Sequence, residues 1–276
     1  MKVFVLLVFC VAAMAQQVVI RAARLYDGRA DAVQTPGLVV VENGRIVGVG
    51  AAAVLKPGAT VMELGDATLL PGFMDAHVHL TGEMGLDSRQ GIIDAQARTA
   101  AETALLATKY LRVTLQAGFT TVRNLGAADF VDVAMRNAIA RGAIEGPRIL
   151  AASKGLGSMG GHCDPMNGVA PEFFGREPDW KDGIVSGAES ARQAVRYNVK
   201  YGADLIKICA TGGVLSRNND VDSPQLTQAE VDAIIDEAHA KGRKWRRTRM
   251  ERPGPSAPSA PGSIRLNMGA FWTRKR

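Results

Sequence analysis

The hydrophobic rhythm of the chain changes at two places. Residues 18–70 carry short β-branched or apolar runs, Val18-Val19-Ile20 and residues 38–41, 46–49 and 61–64. Turn signals separate them: Tyr26-Asp27-Gly28 and Glu42-Asn43-Gly44. Asn-Gly between apolar runs is a strong hairpin cue, because both residues tolerate positive φ. This stretch predicts a small β unit without helices. From Thr68 onward strands alternate with helices. Strands are expected at 69–75, 119–123, 148–152 and 204–209. Helices are expected at about 90–117, 128–141 and 187–201, with a fourth from Thr227 to Gly242. Thr227 and Glu230 have capping-box spacing, and Gly142, Gly202 and Gly242 each follow the last periodic residue of a helix.

Strand followed by helix, four times over, predicts an α/β fold with a parallel sheet. The loops after the third and fourth strands, 153–185 and 210–226, are long and lie at strand C-terminal ends. That favours a partial (β/α)8 TIM barrel with about four βα units. A doubly wound open sheet is the competing architecture, but no Gly-rich phosphate fingerprint follows the first strand.

Both ends read differently from the middle. Residues 1–17, MKVFVLLVFCVAAMAQQ, have one positive charge, an apolar run and then Ala13-Met14-Ala15. This is the layout of a secretory signal peptide cleaved after about Ala15, which predicts a secreted or periplasmic protein with no stable membrane span after cleavage. A buried first strand is the alternative. Residues 243–276 hold ten Lys or Arg against one acid, so this segment alone carries +9 of a total of +6, and residues 1–242 sum to −3. The basic balance belongs to that segment. It is rich in Arg, Pro and Ser without strand-helix period, and reads as a disordered tail. Its functional version is a basic arm on anionic partners, making the chain a secreted binding protein. A one-base frame shift explains more: with suitable codons the tail becomes V-A-A-H-A-H-G and then E-H-G-S-F-L-D. Codons for Arg247 or Arg249 that do not end in C would rule this out. Three cysteines, Cys10, Cys163 and Cys209, exclude a disulfide framework as the organising principle. Cys163 and Cys209 could pair, but their spacing does not require it.

The candidate chemistry sits at strand ends. His77-Val78-His79 follows the first barrel strand, and residues i and i+2 of an extended segment point to one side. Two neutral imidazoles so placed can hold one transition-metal ion, with zinc the default. Lys207 stands among apolar neighbours in Leu205-Ile206-Lys207-Ile208, where burial favours the free amine. Its alternative is a head group that reaches out of the sheet. His162 lies in a Gly-rich loop after the third strand, and His239 falls on the last helix and reads as surface.

The stretch LLPGFMDAHVHL closely resembles the amidohydrolase superfamily signature. ARLYDG and VENGRIVGVG resemble the N-terminal β-sandwich segment of that superfamily. GFTTVRNLG, GGHCDPMNG and GADLIKICATGGVLS resemble its imidazolonepropionase-like, prolidase-type branch. The resemblance covers 18 to about 244. It divides the chain into a signal peptide (1–17), a β-sandwich segment (18–67), the first half of a TIM barrel (68–242) and the tail (243–276). It implies a hydrolase of carbon–nitrogen bonds in amides or peptides, acting through metal-activated hydroxide on a small-molecule or peptide substrate and not on nucleic acid. Two divalent ions, zinc by default, would be held by His77, His79 and a carboxylated Lys207. His162 would either contact substrate or structure its loop, and Asp75 would orient a histidine. Asn124 stands where the related motif has Asp, which would soften an ion pair with Arg123. The family's histidines of strands five and six and its proton-shuttling aspartate of strand eight have no match here, so the catalytic residue is unassigned. The chain as written is expected to be poorly active, unless a half-barrel completes itself by oligomerisation. Substrate, metal identity and oligomeric state are not read from the sequence.

Overall fold

A computed structural model describes residues 17–82, 97–173, 175–214, 216, 220–242 and 244–248. The signal-peptide reading, most of the tail and the start of the first expected helix lie outside these residues. The chain divides into two compact units, Met1–Gly72 and Phe73–Arg276.

The first unit is built on the β-branched runs. A four-stranded mixed sheet has the order β4-β3-β1-β5, from β1 (Gln17–Ala22), β3 (Gly37–Glu42), β4 (Arg45–Val49) and β5 (Thr60–Glu63). β1 runs antiparallel to β3, with Val19 opposite Val40, and parallel to β5. Val19 and Val40 are fully buried. β2 (Arg24–Leu25) and β6 (Thr68–Leu69) form a short parallel pair. The β3–β4 hairpin turns through Asn43 and Gly44, both at positive φ (51° and 70°), as its Asn-Gly signal requires. One 3-10 turn, Gly50–Ala52, interrupts the expected helix-free unit. Its components are therefore one four-stranded sheet and one two-stranded ladder.

The second unit alternates strands and helices. In order they are β7 (Phe73–Val78), α1 (Ala100–Gln116), β8 (Phe119–Asn124), α2 (Val131–Ala140), β9 (Arg148–Ala151), β10 (Gly157–Ser158), β11 (Ile184–Val185), α3 (Ala188–Lys200), β12 (Leu205–Cys209), α4 (Gln228–Ala240) and β13 (Lys244–Thr248). β7, β8 and β9 pair in parallel. The segment after β9 carries the ladder to β12: Asp204 N–H donates to Ala151 O at 2.7 Å, Leu156 N–H to Lys207 O at 2.9 Å and Cys209 N–H to Leu156 O at 2.8 Å. β12 then pairs in parallel with β13. The spatial order β7-β8-β9-β12-β13 follows the chain order without reversal. A doubly wound sheet would reverse at a switch point; a singly wound one does not.

β13 changes the reading of the tail. The expected disordered segment began at 243. Instead residues 244–248 continue the βα rhythm and pair with β12 along five positions, Leu205↔Lys244 to Cys209↔Thr248. The physical reason is that α4 ends at Gly242 (φ 67°), which turns the chain back onto the exposed row of β12 backbone groups.

Alternation sorts the β12 side chains. Ile206 and Ile208 pack with Leu156, Val195 and Ile234 in a cluster under α3 and α4. Lys207 lies on the opposite face. The helices are fixed by the features the sequence displayed. Thr227 and Glu230 form the reciprocal capping box, and Glu230 also accepts from Gly187 N–H at 2.7 Å at the start of α3. Arg196 grips Glu237 with two bonds of 2.9 and 3.0 Å across α3 and α4. Among the described residues, no helix is long and apolar enough to cross a membrane.

Two stability measurements check this account. Ile234→Ala, which opens a cavity in a fully buried site, should cost about 2–5 kcal/mol in urea unfolding. Ending the chain at Gly242 should lower the unfolding midpoint, whereas ending it at Thr248 should not. Equal midpoints for both would remove β13 from the fold.

Candidate active site

His77 closes β7 with Val78, and His79 follows one residue later. Val78 and Leu80 turn toward the apolar cluster of α1 and α2, so the two histidines face the other way. Their ring centroids are 5.4 Å apart, edge to face. Both residues keep exposed surface at the strand end, while surrounding protein partly encloses their rings.

The His79 ring is held. It bonds to the backbone of Gly126, and its Nδ1–Cε1 edge lies against that residue, where a Cβ would stand 3.2 Å from Cε1. Gly126 O also accepts from Asn124 Nδ2 at 3.0 Å. Asn124 is fully buried. Its Oδ1 accepts from Leu80 N–H at 2.8 Å, and its Nδ2 reaches Asp132 Oδ2 at 3.3 Å. Asp132 in turn accepts from Ser153 and Val133 N–H groups, both at 2.9 Å. Burial raises the Asp132 carboxyl above its usual range. The expected softened ion pair between Arg123 and Asn124 is not what these residues make. Neighbours on a strand point to opposite faces, and Arg123 Nε donates to Ala76 O at 2.6 Å.

Asp75 acts on the backbone. Its Oδ1 accepts from His77 N–H at 2.9 Å, and its charge also bears on the His77 ring. A short Asx-type bond is closer to hand than a ring on the same strand face.

Lys207 is 4% exposed, and no carboxylate among the described residues pairs with it. Burial, then the nearby Arg123 charge, lower its amine from 10.5 to about 8. The histidines respond in kind. Burial, then Lys207, His79 and Arg123, press His77 down to about 4 against the opposing pull of Asp75. His79 is lowered by burial and Lys207. His162 is exposed in area, yet surrounding protein and the Lys207 and His79 charges lower it too. All three imidazoles are thus kept neutral near pH 7, the form that coordinates metal.

His162 is fixed by the loop after β12. Its Nδ1 lies 2.6 Å from Ser216 Oγ, and its backbone N–H donates to Gln225 Oε1 at 3.3 Å. A Cβ on Gly213 would fall 2.1 Å from Nδ1, so only glycine leaves room for the ring. A disulfide joins Cys163 to Cys209. The Lys207 charge bears on His77, His79 and His162 alike, and that of His79 on His77 and His162, so these four groups lie near one another. His239 lies apart, exposed on α4. A groove of about 470 Å3 lies beside Gln225 and Glu230 and does not include the histidine pair.

Among the described residues, no three His, Cys, Asp or Glu side chains converge as a metal site. Two imidazoles and one amine fit part of a coordination shell, since a structural or catalytic zinc takes at least three protein ligands. Asn124, Gly126, Asp132, Ser216 and Gln225 were not singled out as supports. Only the glycine-rich spacing around 155–161 and 212–213 signalled close packing.

Residues 68–246 match the Amidohydrolase family, and the chain belongs to that family. It is 32% identical over 187 residues to an ochratoxinase of Aspergillus niger, a match covering 63% of this chain and 38% of that protein. A Xaa-Pro dipeptidase solved with bound methionine is 36% identical, with a TM-score of 0.74 over 84% of this chain and 56% of the other. A prolidase complexed with N-methylphosphonate-L-proline is 29% identical, with a TM-score of 0.72 and the same coverages. The chain therefore spans little more than a third of the curated relative and about half of the solved ones.

Lys207 offers a direct check. With a value of about 8, its free-amine fraction at pH 7.5 should exceed that of an ordinary lysine by about two orders of magnitude. Acylation followed residue by residue should give Lys207 a midpoint near pH 8. The sign for stability follows: the fold binds this proton less tightly than the unfolded chain, so stability should rise as pH climbs from about 8 toward 10.5. A Lys207 midpoint above 10 would overturn this account of its environment.

Proposed function

We propose that this chain supplies the first half of a metal-dependent hydrolase that cleaves carbon–nitrogen bonds in amides or short peptides. The observation that carries the reading is the meeting of two neutral imidazoles, His77 and His79 at the end of β7, with the buried amine of Lys207 on β12, which no carboxylate among the described residues pairs. The partial (β/α)8 barrel is supported by the unreversed order of five parallel strands. Its dipeptidase-like character is supported by the likeness to a Xaa-Pro dipeptidase and a prolidase. Prolyl or basic dipeptides, cyclic amides and ureas all suit the site.

His77, His79 and Lys207 are the residues that would hold the ions, with zinc the default. When bound, divalent ions supply polarisation of the scissile carbonyl and an acidified water. The protein's own contributions are separable. His79 is oriented through Gly126, which leaves its Nε2 edge for coordination. Lys207, whose lowered value leaves a substantial fraction of free amine slightly above neutral pH, can add carbon dioxide, and the resulting carbamate would be an anionic oxygen donor among groups that carry positive charge or none. His162, held at Nδ1 by Ser216, would turn its other nitrogen toward a substrate carbonyl or carboxylate. No described residue supplies the carboxylate needed to return a proton to the leaving nitrogen, so we expect the chain alone to turn substrate over slowly or not at all. Secretion belongs to the same proposal. It is supported by the charge and apolar pattern of 1–17 and by a disulfide suited to an oxidising compartment.

Zinc titration calorimetry on the full chain tests the reading. His77→Ala and His79→Ala should each weaken zinc binding by about tenfold or more, and added bicarbonate should strengthen it in the parent chain but not in Lys207→Met. Zinc affinity unchanged by both histidine substitutions would sink the proposed site.

A further inference from the structure

The Cys163–Cys209 disulfide joins two parts of the site that lie 46 residues apart in the chain. Cys209 follows Lys207 by two positions on β12, so both side chains leave the strand on one face. Cys163 directly follows His162. The bridge, with Cα atoms 5.9 Å apart, therefore ties the loop that carries His162 to the strand that carries the buried amine. The backbone around it is trimmed to fit. A Cβ at Gly155 would stand 2.8 Å from Cys163 Sγ and 3.5 Å from Lys207 Cγ, and one at Gly157 would stand 2.8 Å from Cys163 Cβ. On the far side Gly213 clears the His162 ring. Three glycines in two loops thus leave space for one constellation of bridge, lysine stem and imidazole.

We propose that this disulfide is a positioning element of the site: it sets how His162 approaches Lys207, and it makes that approach depend on the oxidation state of the pair. The proposal rests on reading His162 as a group that meets substrate. The other described ties on His162 are the hydrogen bonds to Ser216 and Gln225, both at exposed positions where water competes. The disulfide is the covalent one, and it removes the freedom of the loop relative to β12. Cys163 is half-buried as a residue, whereas Cys209 is buried, so Cys163 is the more accessible half of the bridge. A dithiol reductant opens the bridge by exchange. One reductant thiolate attacks a bridge sulfur, and the second displaces the mixed disulfide. The reductant leaves as its own cyclic disulfide, and Cys163 and Cys209 each gain one electron and one proton.

The test uses the full chain, purified from an oxidising compartment, and needs neither metal nor turnover. Non-reducing peptide mapping should recover the 163–209 bridge. Diethyl pyrocarbonate modification of His162 should rise about threefold or more on reduction with dithiothreitol, with His239 as the internal reference and far-UV circular dichroism unchanged. The double variant Cys163→Ser with Cys209→Ser should match the reduced chain. Reduction of the parent chain decides the matter even where that variant does not fold. Free thiols at both positions in the oxidised chain would overturn the proposal, as would equal His162 reactivity with the bridge closed and open. A chain that binds no zinc but shows the redox-dependent reactivity would retire the hydrolase reading and leave the clamp standing.

Discussion

Burial of a lysine between two isoleucines is the constraint around which the site is arranged. β12 must pack Ile206 and Ile208 against α3 and α4, and strand alternation then sends Lys207 to the opposite face, where water is scarce. An ammonium group held there, with no carboxylate among the described residues beside it, is costly, so the amine gives up its proton more easily. The same scarcity of water, and the residual charge of Lys207, press the neighbouring imidazoles toward neutrality. One packing requirement therefore lowers both the amine of Lys207 and the two neighbouring imidazoles. The hydrophobic cluster under the helices and the chemistry at the strand ends are two faces of one strand.

The support around His79 has a similar economy. Asn124 ends β8 and is wholly enclosed, yet its amide is used on both sides: it receives the Leu80 amide, which fixes the chain just after His79, and it donates to Gly126 O, which also meets the imidazole. Asp132 anchors Asn124 and the backbone beyond β9 together. Three consecutive strand ends are thus tied by side chains that never face the reacting space. An aspartate in place of Asn124 could accept from Leu80 but could not donate to Gly126, and it would set a second carboxylate beside Asp132.

Much of the architecture was legible before the structure. The helix ending at Gly202, the capping box at Thr227 and the Asn43-Gly44 hairpin rest on local backbone chemistry, which sequence encodes within a few residues. The singly wound order follows from regular strand-helix alternation. β13 was not legible, because Lys244–Thr248 is polar and basic, and only the open edge of β12 gives it a reason to be extended. That Asp75 bonds the backbone N–H of His77 was not legible either, since that choice is set by local geometry and not by residue type.

The sequence by itself determined that His77 and His79 share a side, that Lys207 is flanked by apolar residues, and that both lie at strand ends, because period-two alternation is a property of the chain alone. Tertiary structure decided that they meet. The 127 residues between His79 and Lys207 carry no local signal of their distance, and only parallel pairing of β7, β8, β9 and β12 puts their ends on one edge. It also decided that Cys163 faces Cys209 and that Gly213 must clear His162, since close approach between remote loops is fixed by packing and not by composition.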